Sequence, residues 1–470
     1  MMRRTFFVLL LAVAAALPST GQNLTPGQQR FRALFKELVE TNTSLSSGSC
    51  TELAQKIAGH LKQAGYPASD IHLFAESDHP KEGSIVAVLP GTNRNLKAIL
   101  LLGHLDVVEA RREDWTRDPF QFIEEAGYFY GRGTADMKSL AAAWVDTMMR
   151  LKEEKFENSR TVKMALTCGE ETSTAFNGAQ WLSSHARELI DAEFALNEGG
   201  GGRNDESGKA LLMAVQSAEK FPQNYTMEVT NPGGHSSRPV KKNAIYQLAA
   251  ALTKVSEYQF PFESSDITRG YFAKIGPQIG GDIGRAMVAF AKDPKDMKAA
   301  ARIAEDPDYN GILRTTCVAT LLSAGHATNA LPQRAGANVN CRIFPGTTPE
   351  QVRNKLAEAI GDPEVNVTPN DHRSDIPKGP QPLNPKVFGP VERLVSEYWP
   401  GIPVVPTMSA GATDGAFLTP AGIPTYGVSG IFSDAGGNGA HGLNERIRVD
   451  ATYRGRDFLY DIVKLYANQN

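Results

Sequence analysis

Segments typical of buried strands alternate with amphipathic helices through the first half of the chain, and this alternation limits the fold more than any other feature. The predicted elements are, in order, strands at 84–89 and 97–103, a helix at 139–152, a strand at 162–167, a helix at 176–189 and a strand at 194–198. The second strand is almost entirely apolar, as expected of a strand that is covered on both faces. Strands that alternate with helices form a largely parallel sheet, so an α/β fold is predicted.

The pattern changes near Lys220 to strand, helix, two strands, helix and strand, which resembles a ferredoxin-like domain built from two split βαβ units. Alternating helices and strands then return toward the C-terminus. A chain of 470 residues also exceeds the usual size of a single hydrophobic core. We therefore predict a larger α/β domain formed by residues 23–218 and 373–470, interrupted by a smaller inserted domain at residues 219–372.

The first residues differ in character from the rest of the chain. Arg3 and Arg4 precede an apolar run at 6–17, and small residues follow it. This pattern is typical of a secretory signal peptide, which has a basic start, an apolar centre too short to span a bilayer comfortably and small residues at the cleavage site. The alternative is a buried N-terminal helix. We predict a signal peptide at residues 1–22 and a mature protein that is exported, periplasmic or secreted, without a membrane anchor.

The net charge limits the classes of binding partner, and the cysteine content limits the possible disulfide bonds and metal sites. The formal net charge of −3 is nearly neutral for this length and indicates neither a nucleic acid nor an anionic membrane as partner. Four cysteines are too few for a disulfide scaffold. The sequence contains no CxxC pair, so a zinc–thiolate site is not indicated. Cys317 and Cys341 lie in predicted strands on either side of a turn-rich segment. Because export would permit a disulfide bond, a bridge between these two residues is a hypothesis.

Metal-binding side chains occur at the points where predicted strands end. His104, Glu170 and Glu198 each lie at or just after such an end. The carboxyl ends of parallel strands meet at one edge of the sheet, where functional residues collect. Zinc takes imidazole and carboxylate ligands, and a pair of ions can share a bridging carboxylate. The sequence supplies a ligand set for two ions, namely His104, Asp136, Glu171, Glu198 and His441.

Two further carboxylates have predicted roles beside these ligands. Asp106 lies two residues past His104, close enough to accept its free ring N–H and fix the tautomer. Glu170 adjoins a ligand but is expected to point elsewhere, which leaves it free as a general base for water. Each pattern alone has a simpler explanation, since His-x-Asp pairs, Glu-Glu pairs and glycine-rich loops are often structural or solvated. Their conjunction at successive strand ends favours a catalytic site.

Six motifs stand in the order and approximate spacing that is found in the M20 metallopeptidases: GHLDVV, GRGTADMK, TCGEET, NEGGG, GGHSSRP and AHGLNE. The chain thus resembles this family, which includes glutamate carboxypeptidases, carnosinase-like dipeptidases, aminoacylases and succinyl-diaminopimelate desuccinylases. The resemblance covers essentially the whole mature chain. It implies a zinc-peptidase-like catalytic domain that binds two zinc ions per subunit, with cobalt able to substitute.

The resemblance also implies how the ligands are shared between the ions. One zinc ion would be held by His104 and Glu198 and the other by Glu171 and His441, with Asp136 bridging the two. The general base and the orienting aspartate keep the roles given above. The peptide bond that follows the bridging aspartate is expected to be cis.

By the same resemblance, the inserted domain looks like the family's lid, which commonly also forms the dimer. His235 matches the lid histidine that stabilises the oxyanion and often comes from the partner subunit, with a turn-capping histidine as the alternative. Asn329 and Arg342 match lid positions that often grip a substrate carboxylate. The alternative for Arg342 is a salt bridge at the rim. A homodimer formed through the lid is therefore expected.

Two features depart from the family pattern. Ala412 stands where members commonly carry a second glycine, which affects the details of the substrate pocket. Segment 262–310, with helical character around 294–304, is longer than in the shortest lids and resembles the carboxypeptidase and acyl-amino-acid hydrolase branches. Its apolar residues are expected to form a core that stabilises the lid, with a hydrophobic specificity pocket as the alternative; they are Phe272, Ile275, Ile279, Ile283, Met287, Val288 and Phe290.

The predicted function is hydrolysis of a peptide or amide bond next to a free carboxylate, by a di-zinc exopeptidase of the carboxypeptidase or dipeptidase type. An N-acyl-amino-acid amidohydrolase of the aminoacylase type is the alternative. A non-catalytic peptide-binding protein on the same scaffold is a third possibility. The expected substrate is a small peptide or an N-acyl amino acid.

Overall fold

The structure is a computed structural model that describes residues 24–172, 176–370, 379 and 383–469. The expected signal peptide at residues 1–22 lies outside these residues, and so does the predicted domain boundary at 372–373. Within the described ranges, no helix combines the length and the apolar character that crossing a bilayer requires.

The predicted alternation of strands and helices is confirmed in the first half of the chain. Its elements are α1 (Pro26–Glu40), α2 (Cys50–Gln63), β1 (Ile71–Phe74), β2 (Ser84–Leu89), β3 (Ile99–His104), β4 (Ile123–Glu125), β5 (Tyr128–Tyr130), α3 (Lys138–Glu153), β6 (Val162–Thr167), α4 (Gly178–His185), α5 (Arg187–Ile190), β7 (Phe194–Asn197), β8 (Gly201–Asn204) and β9 (Ala210–Glu219). Helix α1 begins at a capping box, in which Thr25 and Gln28 bind each other's backbone N–H groups. The helix predicted at 176–189 is divided into α4 and α5, because Ala186 between them leaves the helical backbone conformation.

The predicted ferredoxin-like pattern is also present. The elements between residues 220 and 370 are β10 (Phe221–Thr230), β11 (Gly234–His235), α6 (Ala244–Glu257), α7 (Asp266–Ile279), α8 (Gly281–Lys292), α9 (Met297–Ile303), α10 (Pro307–Gly311), β12 (Thr316–Ala324), β13 (Ala330–Leu331), β14 (Arg334–Ile343), α11 (Pro349–Ile360) and β15 (Asn366–Pro369). Four of these strands form an antiparallel sheet in the order β12-β14-β10-β15. Helices α6 and α11 share one hydrophobic core with this sheet.

The C-terminal part returns to the larger domain and completes its central sheet. Its elements are α12 (Pro385–Tyr398), β16 (Val404–Ser409), α13 (Gly415–Leu418), β17 (Thr425–Gly427), β18 (Phe432–Ser433), β19 (Arg446–Arg448) and α14 (Val449–Ala467). The central sheet has the order β1-β2-β6-β3-β7-β17-β9-β8-β18, with β16 paired to β9. The central strands β6, β3, β7 and β17 run parallel, so the predicted, mostly parallel sheet is confirmed.

Strand β3 is covered on both faces, as its apolar sequence predicted. All six of its residues are buried. Ile99 and Leu101 join the core formed with helices α1, α2, α3, α12 and α14, whereas Leu100 and Leu102 join the core formed with α4, α5 and α13. The polar end of this strand, at His104, therefore projects from a fully packed layer, and its position is fixed by the core on either side.

Segment 262–310 packs differently from the prediction. Phe272, Met287 and Phe290 form a core with Leu212 of β9 and Val405 of β16. The helices of this segment therefore cover the central sheet, and the expectation that its apolar residues stabilise the inserted domain is wrong. The pattern of an amphipathic helix shows which face is buried but contains no information about which sheet that face will meet.

All four cysteines form disulfide bonds. The expected bridge between Cys317 and Cys341 is confirmed, and it joins directly opposed residues of β12 and β14. A second bridge, which the sequence analysis did not predict, joins Cys50 at the start of α2 to Cys168. Because Cys168 directly follows β6, this bridge anchors the loop that begins with Gly169 and carries two of the predicted site residues.

Candidate metal centre

His104 lies at the end of β3 with only 1% of its surface exposed. Its Nδ1 is 2.9 Å from the backbone carbonyl oxygen of Asp106, whereas the nearest carboxylate oxygen of that residue is 3.7 Å away. A carbonyl oxygen can only accept, so Nδ1 carries a proton, and in the neutral imidazole Nε2 then has the lone pair that can bind metal. Asp106 therefore orients the ring as predicted, but through its backbone. The Nε2 atom faces Asp136 Oδ1 at 3.3 Å and Glu198 Oε1 at 3.6 Å.

Asp136 stands between the two predicted histidine ligands. Its Oδ1 faces His104, and its Oδ2 is 3.1 Å from Nε2 of His441. Burial opposes ionisation of this carboxyl, but the two neighbouring imidazoles outweigh burial and hold its pKa well below the usual range. A carboxylate that offers one oxygen to each histidine has the arrangement of a bridging ligand. The peptide bond between Asp136 and Met137 is cis, as expected.

Glu171 and His441 meet on the other side of Asp136. Oε2 of Glu171 is 2.9 Å from Nε2 of His441. The backbone N–H of Glu171 donates to Oδ2 of Asp106 at 2.9 Å, so the carboxylate of Asp106 holds this ligand while its carbonyl holds His104. His441 is in a loop with a positive φ, and 59% of its side chain is exposed.

Glu170 and Glu198 complete the cluster around His104. One oxygen of each carboxylate and a ring nitrogen of His104 lie within 4.8 Å of one another. Glu198 directly follows β7, and Glu170 lies three residues after β6. Burial raises the pKa of Glu170 well above its ordinary value, and the neighbouring carboxylates of Glu198 and Asp414 add to this effect. Without a cation, the crowded carboxyl groups at this edge are costly to ionise.

The residues of the cluster fit a pair of divalent cations. Nε2 of His104 and Oε1 of Glu171 are buried and have no hydrogen-bond partner among the described residues. Buried polar atoms are rarely left unpaired, and coordination to a cation would satisfy both. The burial that raises the pKa of Glu171 would likewise be offset by a neighbouring positive charge. The structure thus brings the five predicted ligands together, with Glu170 beside them.

Asp414 is a supporting residue that the sequence analysis missed. Its buried carboxylate accepts a 2.6 Å hydrogen bond from Oγ1 of Thr167 and a 2.9 Å hydrogen bond from Nδ2 of Asn177. These contacts join the loop after β16 to the end of β6, three residues before Glu170, and to the N-cap residue of α4. The loop motif containing Thr413-Asp414 was visible in the sequence, but nothing in it showed that the aspartate would be turned into the protein.

Comparison with known proteins decides the family. Residues 100–465 match a family model described as peptidase family M20/M25/M40. The chain belongs to the M20 family. The resemblance drawn from its motifs is thereby confirmed, and this M20 protein is a hydrolase. Its membership argues against a non-catalytic peptide-binding protein.

Three similar proteins illustrate the range of the M20 family. The N-fatty-acyl-amino acid synthase/hydrolase PM20D1 of Homo sapiens is 27% identical over 398 residues, which cover 83% of this chain and 78% of that protein. Aminoacylase-1 of Sus scrofa is 32% identical over 182 residues, which cover 38% of this chain and 43% of that protein. The M20 family metallo-carboxypeptidase Sso-CP2 from Sulfolobus solfataricus shares the fold, with a TM-score of 0.67 and 19% identity over 93% of this chain and 99% of that one.

The three site residues predicted on the inserted domain lie on or beside its strands, with His235 in β11, Asn329 directly before β13 and Arg342 in β14. His235 is in the exposed strand β11, and the backbone N–H of Ser236 beside it donates to the carbonyl of Asn329 at 3.0 Å. The structure therefore brings His235 and Asn329 together. Arg342 lies on β14, opposite Thr316 of β12. Within the described residues, no hydrogen bond or ion pair links these three residues to the metal-site cluster.

A cavity of about 590 Å³ adjoins the cluster in this M20 hydrolase. Asp136 and Glu198 lie on its wall, next to the glycines that follow Glu198. Segment 262–310 contributes to the wall through α10, with Pro307 and Asp308, and Ile312 follows just beyond. None of the seven apolar residues considered for a specificity pocket lines this cavity. Five of them belong to the core shared with the central sheet, whereas Ile279 and Val288 are exposed.

Proposed function

We propose that the protein is a di-zinc hydrolase that cleaves a peptide or amide bond next to a free carboxylate, as an exopeptidase of the carboxypeptidase or dipeptidase type. The observation that carries this proposal is the position of Asp136 between His104 and His441, with Glu170, which makes no ion pair with the residues that the structure describes, beside the ligands. One zinc ion would be bound by His104 and Glu198, the other by Glu171 and His441, and Asp136 would bridge them. Cobalt binds the same imidazole and carboxylate ligands as zinc, so it could replace zinc.

The residues around the metals have different roles in the reaction. Zinc ions bound there would polarise the scissile carbonyl and make a water molecule acidic enough to attack it near neutral pH. Glu170 accepts the proton of that water and then donates it to the leaving amine. Burial raises the pKa of Glu170 in the metal-free site, and two bound cations would lower that pKa again toward the range in which the carboxylate can accept a proton and then release it. Asp106 keeps the imidazole of His104 in the tautomer whose Nε2 can bind metal.

The lid residues would act after movement or across a dimer. His235 would stabilise the oxyanion, and Asn329 and Arg342 would bind the substrate carboxylate. All three lie outside the cluster, so closure of the lid or a partner subunit must supply them. Strand β12 is an edge strand of the lid sheet and exposes Leu321 and Leu322 at 70% and 69% of their surfaces. An edge with exposed apolar side chains is suited to pairing with a second copy, and we propose a homodimer through the lid.

Mixing two inactive variants tests whether His235 acts across this dimer. His235→Ala removes the oxyanion contact, and Glu170→Gln removes the base, so each homodimer should have little activity. A mixed dimer contains one site with an intact base and the partner's intact histidine. We expect unfolding and refolding of the mixture to restore activity well above either parent. A mixture that stays as inactive as its parents, or a monomer by sedimentation velocity, contradicts this proposal.

The second candidate function is hydrolysis of N-acyl amino acids. Two of the similar proteins are described as an N-fatty-acyl-amino acid synthase/hydrolase and an aminoacylase. The cavity of about 590 Å³ also provides more room than a small dipeptide needs. A free carboxylate beside the scissile bond is common to both candidates.

A paired substrate screen separates the two candidates. Dipeptides, N-acetyl amino acids and long-chain N-acyl amino acids are each tested with a free and with an amidated carboxylate. An exopeptidase should have the highest kcat/KM for dipeptides, and an amidohydrolase should prefer acylated amino acids. In either case amidation should reduce kcat/KM strongly. Equal turnover of free and amidated substrates would contradict recognition of the carboxylate.

We also propose that the protein is exported after removal of residues 1–22. The basic and apolar character of that segment supports export, and the two disulfide bonds suit an oxidising compartment. Mass spectrometry of the protein recovered from outside the cytoplasm should find a mature N-terminus near residue 23. An intact Met1 there would contradict the proposal.

A further inference from the structure

A buried carboxylate that has no role in the reaction collects hydrogen bonds from the loop before Asp136. Glu445 has no exposed surface, and it is the last residue of the AHGLNE motif. Its Oε2 accepts from Nη1 of Arg132 at 2.7 Å and from the N–H of Gly133 at 3.0 Å. Its Oε1 accepts from the N–H of Ala135 at 2.7 Å and from the N–H of Asp136 at 2.9 Å. Each carboxylate oxygen of Glu445 thus accepts two hydrogen bonds.

Arg132 extends this contact to the loop that carries His441. Only 3% of Arg132 is exposed, and its Nη2 donates to the carbonyl oxygen of Gly442 at 2.9 Å. The backbone N–H of Gly131 donates to the carbonyl of Glu445 at 3.1 Å. One ion pair therefore ties the backbone that leads into the proposed bridging ligand, from Gly133 to Asp136, to the residue directly after the histidine ligand.

The two histidine ligands depend on this ion pair to different degrees. His104 belongs to a packed central strand and is oriented by Asp106, so it needs no support from Glu445. His441 is exposed on a loop, and the backbone beside it is held by the bond from Arg132 to Gly442 together with turn hydrogen bonds within the loop, such as the 2.9 Å bond from the N–H of Gly442 to the carbonyl of Gly439. A buried ion pair adds little net stability compared with apolar residues of the same size, so stability alone does not account for it.

We propose that Glu445 and Arg132 are positioning residues that set the distance between Asp136 and His441 and thereby the affinity of the metal position formed by Glu171 and His441. The inference rests on the proposed function, since it requires a dinuclear centre. It predicts an asymmetric defect. Loss of the ion pair weakens the position beside His441, and the position beside His104 retains its affinity.

Metal titration of the metal-free protein tests this asymmetry without an activity assay. Wild-type protein and Glu445→Gln are titrated with Zn²⁺ and Co²⁺ by calorimetry, and bound metal is counted after equilibrium dialysis. The amide keeps the size of the side chain but places an NH₂ group against backbone donors. We expect the first equivalent to bind as in the wild type and the second to bind about 10–100-fold more weakly.

Two further variants separate positioning from general destabilisation. Asp146→Asn is the matched control, because Asp146 accepts a 2.8 Å hydrogen bond from Arg456 in another buried ion pair, between α3 and α14. It should lower thermal stability yet bind both equivalents normally. Arg132→Lys keeps the charge but cannot reach both Glu445 and Gly442, so it should weaken the second equivalent even if Glu445→Gln does not fold.

The outcomes distinguish the positioning role from the proposed function. Normal binding of both equivalents by Glu445→Gln and Arg132→Lys would overturn the positioning role. The same loss of the second equivalent in Asp146→Asn would overturn it too, because the defect would then follow from destabilisation. A wild-type protein that binds no cation would instead overturn the proposed di-zinc function.

Discussion

Glu170→Gln is expected to lower kcat by roughly 10²–10⁴-fold and to leave the fold and the metal content unchanged. Glutamine has almost the same shape as glutamate, but its amide cannot accept a proton from the attacking water. No ion pair of Glu170 would be broken within the described residues, so the substitution should cost little stability. The measurement is kcat on the substrate found by the screen, together with metal analysis and thermal unfolding of the purified variant.

Glu193→Gln is the matched control for this experiment. Glu193 comes directly before β7, at the opposite end of the strand that leads to Glu198, and its carboxylate pairs with Arg160 and Lys386. The same chemical change there should leave kcat near the wild-type value. If Glu170→Gln turned over substrate at a nearly wild-type rate, Glu170 would not be the general base.

Removal of metal is expected to abolish turnover, and added Zn²⁺ or Co²⁺ should restore it. Metal should also stabilise the fold, because it binds the clustered carboxylates only when they are brought together. At a free zinc concentration one hundred times the Kd, each site adds about 2.7 kcal/mol to the free energy of unfolding. The measurements are activity and thermal unfolding before chelation, after chelation and after zinc is returned. Full activity in protein shown to be free of metal would contradict the proposed mechanism.

The affinity for metal should rise with pH, and the direction follows from the histidine ligands. A hydrogen bond to Asp136 raises the pKa of His441 from 6.5 to about 9 in the metal-free protein. Below that pKa a proton must leave before the imidazole can bind metal, so protons compete with the cation. The apparent affinity should therefore increase between about pH 6.5 and pH 9 and then level off. Calorimetric titration across this range measures the effect, and an affinity independent of pH would contradict it.

Two of the five metal ligands could be predicted because they lie at the ends of strands. His104 and Glu198 belong to segments whose apolar character identified them as central strands, and parallel strands end at a common edge. Asp136, Glu171 and His441 lie in loops, and their place in the site came from the family motifs. The bond from His104 to the backbone of Asp106 could not be predicted, since a carbonyl group leaves no trace in a side-chain pattern.

Long-range contacts account for what the sequence did not reveal. Cys50 and Cys168 are 118 residues apart, and no local pattern indicates that α2 begins beside the end of β6. Glu445 was present in a recognised motif, yet only the fold shows that it lies beneath Asp136. Segment 262–310 had clear helical patterns in part, but the choice between two possible sheets depends on tertiary packing that those patterns do not encode.

The packing of α7–α10 on the central sheet affects how the lid can move. After α6 the chain leaves the lid for the central sheet, and it returns to the lid at β12. The chain therefore passes between the two domains four times: before β10, after α6, before β12 and after β15. Nζ of Lys220, in the connection before β10, donates 2.8 Å hydrogen bonds to the carbonyls of Gly311 and Arg314, in the connection before β12. A rotation of the inserted domain would bend the three described connections together, before β10, after α6 and before β12, so its axis would have to run close to each of them. For the proposed closure, such a joint would restrict the range of movement and make the closed position reproducible.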